Sequence, residues 1–238
     1  MRKTADPRAD RRRRAERILD AAGELLVSWG YRRVTVDEVA RRAGVGKGTV
    51  YLHFETKEAL FLTVLMRSQL ALAERFLDDI RRDPEAVLLS RIVATAFRWV
   101  HEDPILRAVL IGDTETLGTL SRSAPDVAGD ILDERWRVVD AYLDVLREHG
   151  LVRADESREA QRHALGAIIT GYLTADALMP PGGPDVEGRA AMLAHVVRAA
   201  FETPGDRAAV HTVVPRVVAL YQHMLDRLRQ EIGRRDLS

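Results

Sequence analysis

The twenty residues from Thr35 to Phe54, TVDEVARRAGVGKGTVYLHF, leave the chain little conformational choice. Thr35 followed three positions later by Glu38 is a capping box. The hydroxyl accepts from a first-turn N–H, and the glutamate reaches back to the cap. The helix so started keeps Val36, Val39, Ala40 and Ala43 on one side, at the spacing of a packed face. Gly44 then falls where a left-handed backbone ends a helix, which glycine adopts without strain. Val45 fills the gap, and a second short helix runs from about Gly46 to Phe54 with Val50 and Phe54 turned inward. Two short helices across a tight turn are the prediction.

On the second helix, Lys47, Gly48, Thr49, Tyr51 and His53 are left for the outside. Such a face suits phosphates and base edges. Lysine, threonine and tyrosine donate to phosphate oxygens, lysine reaches guanine acceptors, and a glycine lets the backbone approach closely. Charge agrees with this placement. Residues 1–57 carry fourteen Lys and Arg against eight Asp and Glu, while residues 58–238 carry 22 against 28. A net charge of zero therefore hides a basic head and an acidic body. All three lysines, Lys3, Lys47 and Lys57, are in the head. Binding to a polyanion needs this concentration of positive charge and weakens steeply with salt.

From Arg14 to Leu65 the chain resembles the N-terminal DNA-binding domain of the TetR/AcrR family of bacterial transcriptional regulators. The resemblance rests on an amphipathic first helix ending in WGY (Trp29–Tyr31), on TVDEVARRAGVGKGTVYLHF, and on Lys57, Glu58, Ala59 and Leu60 after it. It implies phosphate contacts for Thr35, Tyr51, His53 and Lys57, the last at the positive start of a fourth helix. Lys47, Gly48 and Thr49 fall where the family reads bases or lines the groove, and Arg41 or Arg42 adds a backbone contact. Structural alternatives stand beside these roles: Thr35 as a cap alone, Tyr51 packed on the first helix, His53 and the two arginines as solvated surface.

The same resemblance implies an all-α fold, with an N-terminal three-helix helix-turn-helix domain and a C-terminal helical ligand-binding and dimerisation domain. The expected division is a basic, disordered arm over residues 1–11, a DNA-binding domain over 12–72, and an effector and dimer domain over 73–238. The implied function is a repressor, released from a palindromic operator in double-stranded DNA by a small-molecule effector. The alternative is a helical DNA-binding regulator without a small ligand, controlled by a protein partner.

Beyond the head, apolar residues recur at helical spacing. Helices are expected over 57–82, 84–102, 104–112, 126–149, 156–179, 185–201 and 206–234, with an irregular connection over 113–125 and an exposed loop at Pro180–Pro184. Pro215 is expected to kink or restart the last helix. Phe97, Trp99 and His101 on one helix and Trp136 and Tyr142 on another are candidates for an effector pocket, with Arg98 between them. Ile168 and Tyr172, with Val217, Tyr221 and Met224, lie on two apolar stripes that are candidates for a homodimer interface.

Other chemistries find little support. The chain has no cysteine, which fits a reducing cytoplasm and removes thiol nucleophiles and disulfides. Its seven histidines show no metal-ligand spacing, and no cofactor motif or catalytic constellation occurs, so an enzyme is not expected. The N-terminus has no apolar signal region, and no stretch is apolar enough to predict a membrane span.

Overall fold

Pro7 presets the backbone for the first helix, α1 (Pro7–Trp29), and Asp10 sits in its first turn, where the helix dipole favours an acid. The computed structural model describes residues 7–111, 125–175, 182–204 and 208–236. Residues 7–11, expected as a disordered arm, are thus helical. Arg13 pairs with Asp10, and Arg12 with Glu16 at 3.2 Å, each one turn along. Residues 1–6 lie outside the described part.

The next two helices are α2 (Val36–Ala43) and α3 (Lys47–Tyr51). The capping box is present: Thr35 Oγ1 accepts from Glu38 N at 3.3 Å, and Thr35 N donates to Glu38 Oε2 at 2.9 Å. Gly44 closes α2 at φ 67° and ψ 39°. The second helix is shorter than its sequence pattern suggests, because Leu52 and His53 turn away after Tyr51.

Thr56 caps α4 (Lys57–Arg82), a helix of 26 residues. Its first half, with Leu60, Phe61 and Val64, joins Ile18, Leu26, Val39, Val50 and Phe54 in the head's core. From Met66 onward, with Ala73, Phe76 and Ile80, it enters the body's core. The expected boundary at residue 72 therefore falls inside one continuous helix shared by both.

A 3-10 turn (Pro84–Val87) precedes α5 (Leu89–Glu102), and the two are separated by Leu88 in an extended conformation rather than forming one helix. Then follow α6 (Pro104–Ile111), α7 (Pro125–Glu148), α8 (Arg158–Thr174), α9 (Val186–Phe201) and α10 (Ala208–Asp236). Leu88 offers no side-chain cap to α5. Glu202 supplies one from afar, its carboxylate accepting from Ser90 N at 2.7 Å. A buried carboxylate there satisfies an orphan donor and meets the positive helix end.

The helix α10 packs along α4 and α7, and α9 along α5. Pro215 does not restart α10, which continues through it with the proline on the exposed side. A single bridge, Val152 to Glu202, is the β pairing among the described residues. The connection expected over 113–125 lies, up to Ala124, outside the described residues, as do 176–181. Among the described residues, no helix is long and apolar enough to cross a membrane.

Candidate nucleic-acid interface and effector cavity

Val50 and Phe54, both buried, pin α3 to the head, so its other side must face out. Lys47 and Gly48 are exposed, Thr49 is half-buried, and Tyr51 is 45% exposed. A Cβ added at Gly48 would meet nothing within 4 Å, which leaves the surface open to close approach. His53 departs from the expectation. It is only 2% exposed, and its ring lies 6.2 Å from that of Phe54. Because the helix ends at Tyr51, Leu52 takes the outward place (69% exposed) and His53 turns in. Arg11 of α1 donates to the Leu52 carbonyl at 3.3 Å.

Three of the head's candidate cations already have partners within the chain. Lys47 Nζ lies 2.7 Å from Asp37 Oδ2 of α2, and this hydrogen bond raises the lysine's pKa. Arg42 donates to Glu24 of α1 through Nε at 2.8 Å and Nη2 at 2.5 Å. Lys57 donates to the Tyr31 carbonyl at 2.7 Å and sits 4.3 Å from the centre of the Tyr31 ring. Burial lowers its pKa. Tyr31 in turn donates its hydroxyl to Glu58 at 2.7 Å, which holds that carboxyl below its ordinary value. The Thr35 hydroxyl donates to Glu38 at 2.8 Å, so it acts first as a cap.

Arg32 and Arg33, on the turn just before the capping box, are exposed, and the sequence reading passed over them. Two adjacent arginines one residue short of the N-cap Thr35 were the available signal.

Inside the body, a cavity of about 280 Å³ opens among α4, α5, α7, α8 and α10. Trp136 and Tyr142 are among its lining residues. Phe97, Trp99 and His101 do not line it. The cavity takes Leu89, Ile92, Val93 and Ala96 from α5, and these lie on another face of that helix. Phe97 is buried instead, its ring 6.2 Å from Tyr172 and 6.0 Å from the Arg189 guanidinium. His101 Nδ1 is 2.8 Å from the Phe97 carbonyl oxygen, and Trp99 packs beside Arg75. Arg98 pairs with Glu187 at 2.6 Å.

Two of the cavity's polar residues, Gln69 and Arg162, were missed. Gln69, a single amide within α4's apolar stripe, was the legible clue. Arg162 pairs with Asp140 at 2.7 Å and lies 5.7 Å from the Trp136 ring centre.

The expected interface residues divide. Val217 is fully buried, and Tyr221 and Met224 line the cavity, so all three belong to the chain's own interior. The stripe on α10 is satisfied by α4 and α7. Ile168 and Tyr172 of α8 are half-buried. Next to them, the outer face of α8 exposes Ala164, Ala167 and Gly171, and α9 exposes Met192.

A family model described as bacterial regulatory proteins of the tetR family matches residues 18–64. The HTH-type regulator TtgW of Pseudomonas putida is 40% identical over 95 residues, covering 39% of this chain and 69% of that protein. The transcriptional activator FasR of Mycolicibacterium smegmatis is 30% identical over 165 residues, covering 68% and 69%. The fold matches that of FadR from Bacillus subtilis, solved with stearoyl-CoA, at a TM-score of 0.60 and 21% identity, over 76% of this chain and 96% of that one. With its capped helix, glycine turn and short second helix, the chain belongs to the TetR family of bacterial regulatory proteins as a helix-turn-helix transcriptional regulator.

Proposed function

We propose that the protein is a homodimeric repressor that holds a palindromic operator in duplex DNA and lets go when a small effector enters the body. The observation that carries this is the open flank of α3, pinned from behind by Val50 and Phe54. Lys47, Gly48 and Thr49 read base edges, and Tyr51 donates to a phosphate. Thr35 brings the positive end of α2 to a second phosphate. Lys57, Arg42, Arg32 and Arg33 complete the backbone contacts. The ammonium of Lys57 keeps two donors beyond the one given to Tyr31.

Dimerisation is assigned to the outer faces of α8 and α9. Ala164, Ala167 and Gly171, three or four apart, let a second helix approach closely, with Ile168 and Tyr172 at the edges. Met192, 54% exposed, is an apolar side chain that such contact would cover. A two-fold pair places two α3 helices one DNA turn apart, about 34–36 Å, or a multiple of it. The cavity supplies the regulatory input: a molecule that fits only one arrangement of the body shifts the population of DNA-competent heads.

Selection of duplexes from a randomised pool by the purified protein tests the reading. The expected product is a palindrome with half-sites separated by whole turns, bound less tightly as salt rises. Indifference to every duplex at low salt would overturn it. Insensitivity of operator binding to a broad compound library would remove the effector alone.

A further inference from the structure

Two polar side chains that face the cavity have no hydrogen-bond partner among the described residues. Gln69 of α4 is 8% exposed and Tyr221 of α10 is 7% exposed, and both line it. The other hydroxyl at this depth is occupied, since Tyr142 donates to the Val87 carbonyl at 2.8 Å. Their polar atoms are not sealed inside the core but reach the open space of the cavity, where a guest can meet them. Polar groups kept in that state are complements to something that enters. The remaining described lining is largely hydrocarbon: Leu72, Phe76, Ile92, Val139 and Ile169 supply walls without donors or acceptors.

Charge narrows the choice further. Arg162 is the single cation among the described lining residues, and Asp140 already neutralises it. Tyr142 and Tyr221 are held protonated, burial pushing both pKa values up. With that pair the described lining is neutral overall, and an anionic guest would have to share Arg162 with Asp140. The volume, about 280 Å³, falls just below the span of roughly 300–1,000 Å³ usual for small-molecule sites.

From this we infer that the cavity takes a small, uncharged, mostly hydrocarbon molecule bearing one hydroxyl or carbonyl, which Gln69 and Tyr221 bind. Gln69 both donates and accepts, and the Tyr221 hydroxyl does the same, so either group on the guest is satisfied. The inference rests on reading the body as an effector-binding one.

Three probes of one skeleton test it on the full-length chain: biphenyl, 4-hydroxybiphenyl and biphenyl-4-carboxylate, each titrated calorimetrically. The expected order is 4-hydroxybiphenyl about tenfold tighter than biphenyl, with the carboxylate weakest. Tyr221→Phe and Gln69→Leu should each bring the phenol down towards biphenyl while leaving biphenyl itself unchanged. Without probe, both variants should melt close to the parent's temperature, because neither side chain has a hydrogen-bond partner in the fold to lose. A fall in melting temperature for both would mean that these side chains serve the fold instead, and would overturn the inference.

A carboxylate that binds best, or a phenol no better than the hydrocarbon, also overturns it while leaving the cavity reading intact. If none of the three binds, both fall. Should the phenol bind as expected without changing operator affinity, the site stands and the effector role is lost.

Discussion

Ile105 and Leu106 are neighbours on α6 and lie in different cores: Ile105 packs with the head, and Leu106 lines the body's cavity. Gly23 of α1 makes room for the first of them, since a Cβ there would stand 3.2 Å from Ile105 Cδ1. In the proposed regulation, a shift of the cavity wall at Leu106 would carry Ile105 with it and press on α1, which makes this helical turn the proposed path from cavity to head.

Truncating Ile105 tests that path. Ile105→Ala should cost about 2 kcal/mol of stability, the low end for such a truncation because the residue is half-buried. It should also blunt the loss of operator affinity caused by any compound that loosens the parent. Equal loosening in parent and variant, measured by DNA titration, would take Ile105 out of the coupling.

Asp37 restrains the lysine proposed to read bases. Asp37→Asn should tighten DNA binding at low salt and steepen its salt dependence by about one unit, as one more ammonium becomes available. Lys47→Ala should change preference among operators by roughly 1–3 kcal/mol per base contact. A loss of the same size on random duplex would show that Lys47 meets phosphate only. Tyr51→Phe should weaken all sequences alike.

Lys57 ties the start of α4 to the turn before α2. Lys57→Met keeps the stem and deletes the bond to the Tyr31 carbonyl, so the DNA-free protein should lose about 1 kcal/mol in urea unfolding. An unchanged midpoint would leave the lysine a role on DNA alone.

Acid should weaken the head. Glu38 is held below its ordinary pKa chiefly by the Thr35 hydroxyl, and Glu58 chiefly by the Tyr31 hydroxyl. A depressed folded-state value means stabilisation that is complete above the ordinary carboxylate range and lost as pH falls through the lower value. Melting temperature should therefore drop between pH 5 and pH 3, on the order of the usual carboxylate window. Glu38→Gln and Glu58→Gln should flatten that drop, and circular dichroism melts of both variants with the parent's acid slope would rule this source out.

Much of the head was legible because its signals are local. Thr35, Glu38 and Gly44 fix helix ends through their own chemistry, and Val50 and Phe54 fix which side of α3 faces in. His53 was misread because helical phase was carried two residues past the point where the helix stops. The body was legible as helices and little more. An apolar stripe such as Val217, Tyr221 and Met224 looks the same whether it meets its own chain or another copy, and only α10's position against α4 and α7 decides between them. The cavity was sought among clustered aromatics, yet Phe97 fills core, and the informative residue was the solitary amide Gln69.

Glu202 closes α5 from 112 positions further along the chain, and α10 covers α4 last. The head asks for no such reach, since its packing partners end at Ile105. A nascent chain leaving the ribosome can thus complete its DNA-reading unit with more than half of the protein still unmade, because short-range contacts form first. Until α10 emerges, the apolar surfaces of α4 and α7 that it covers stay open to water.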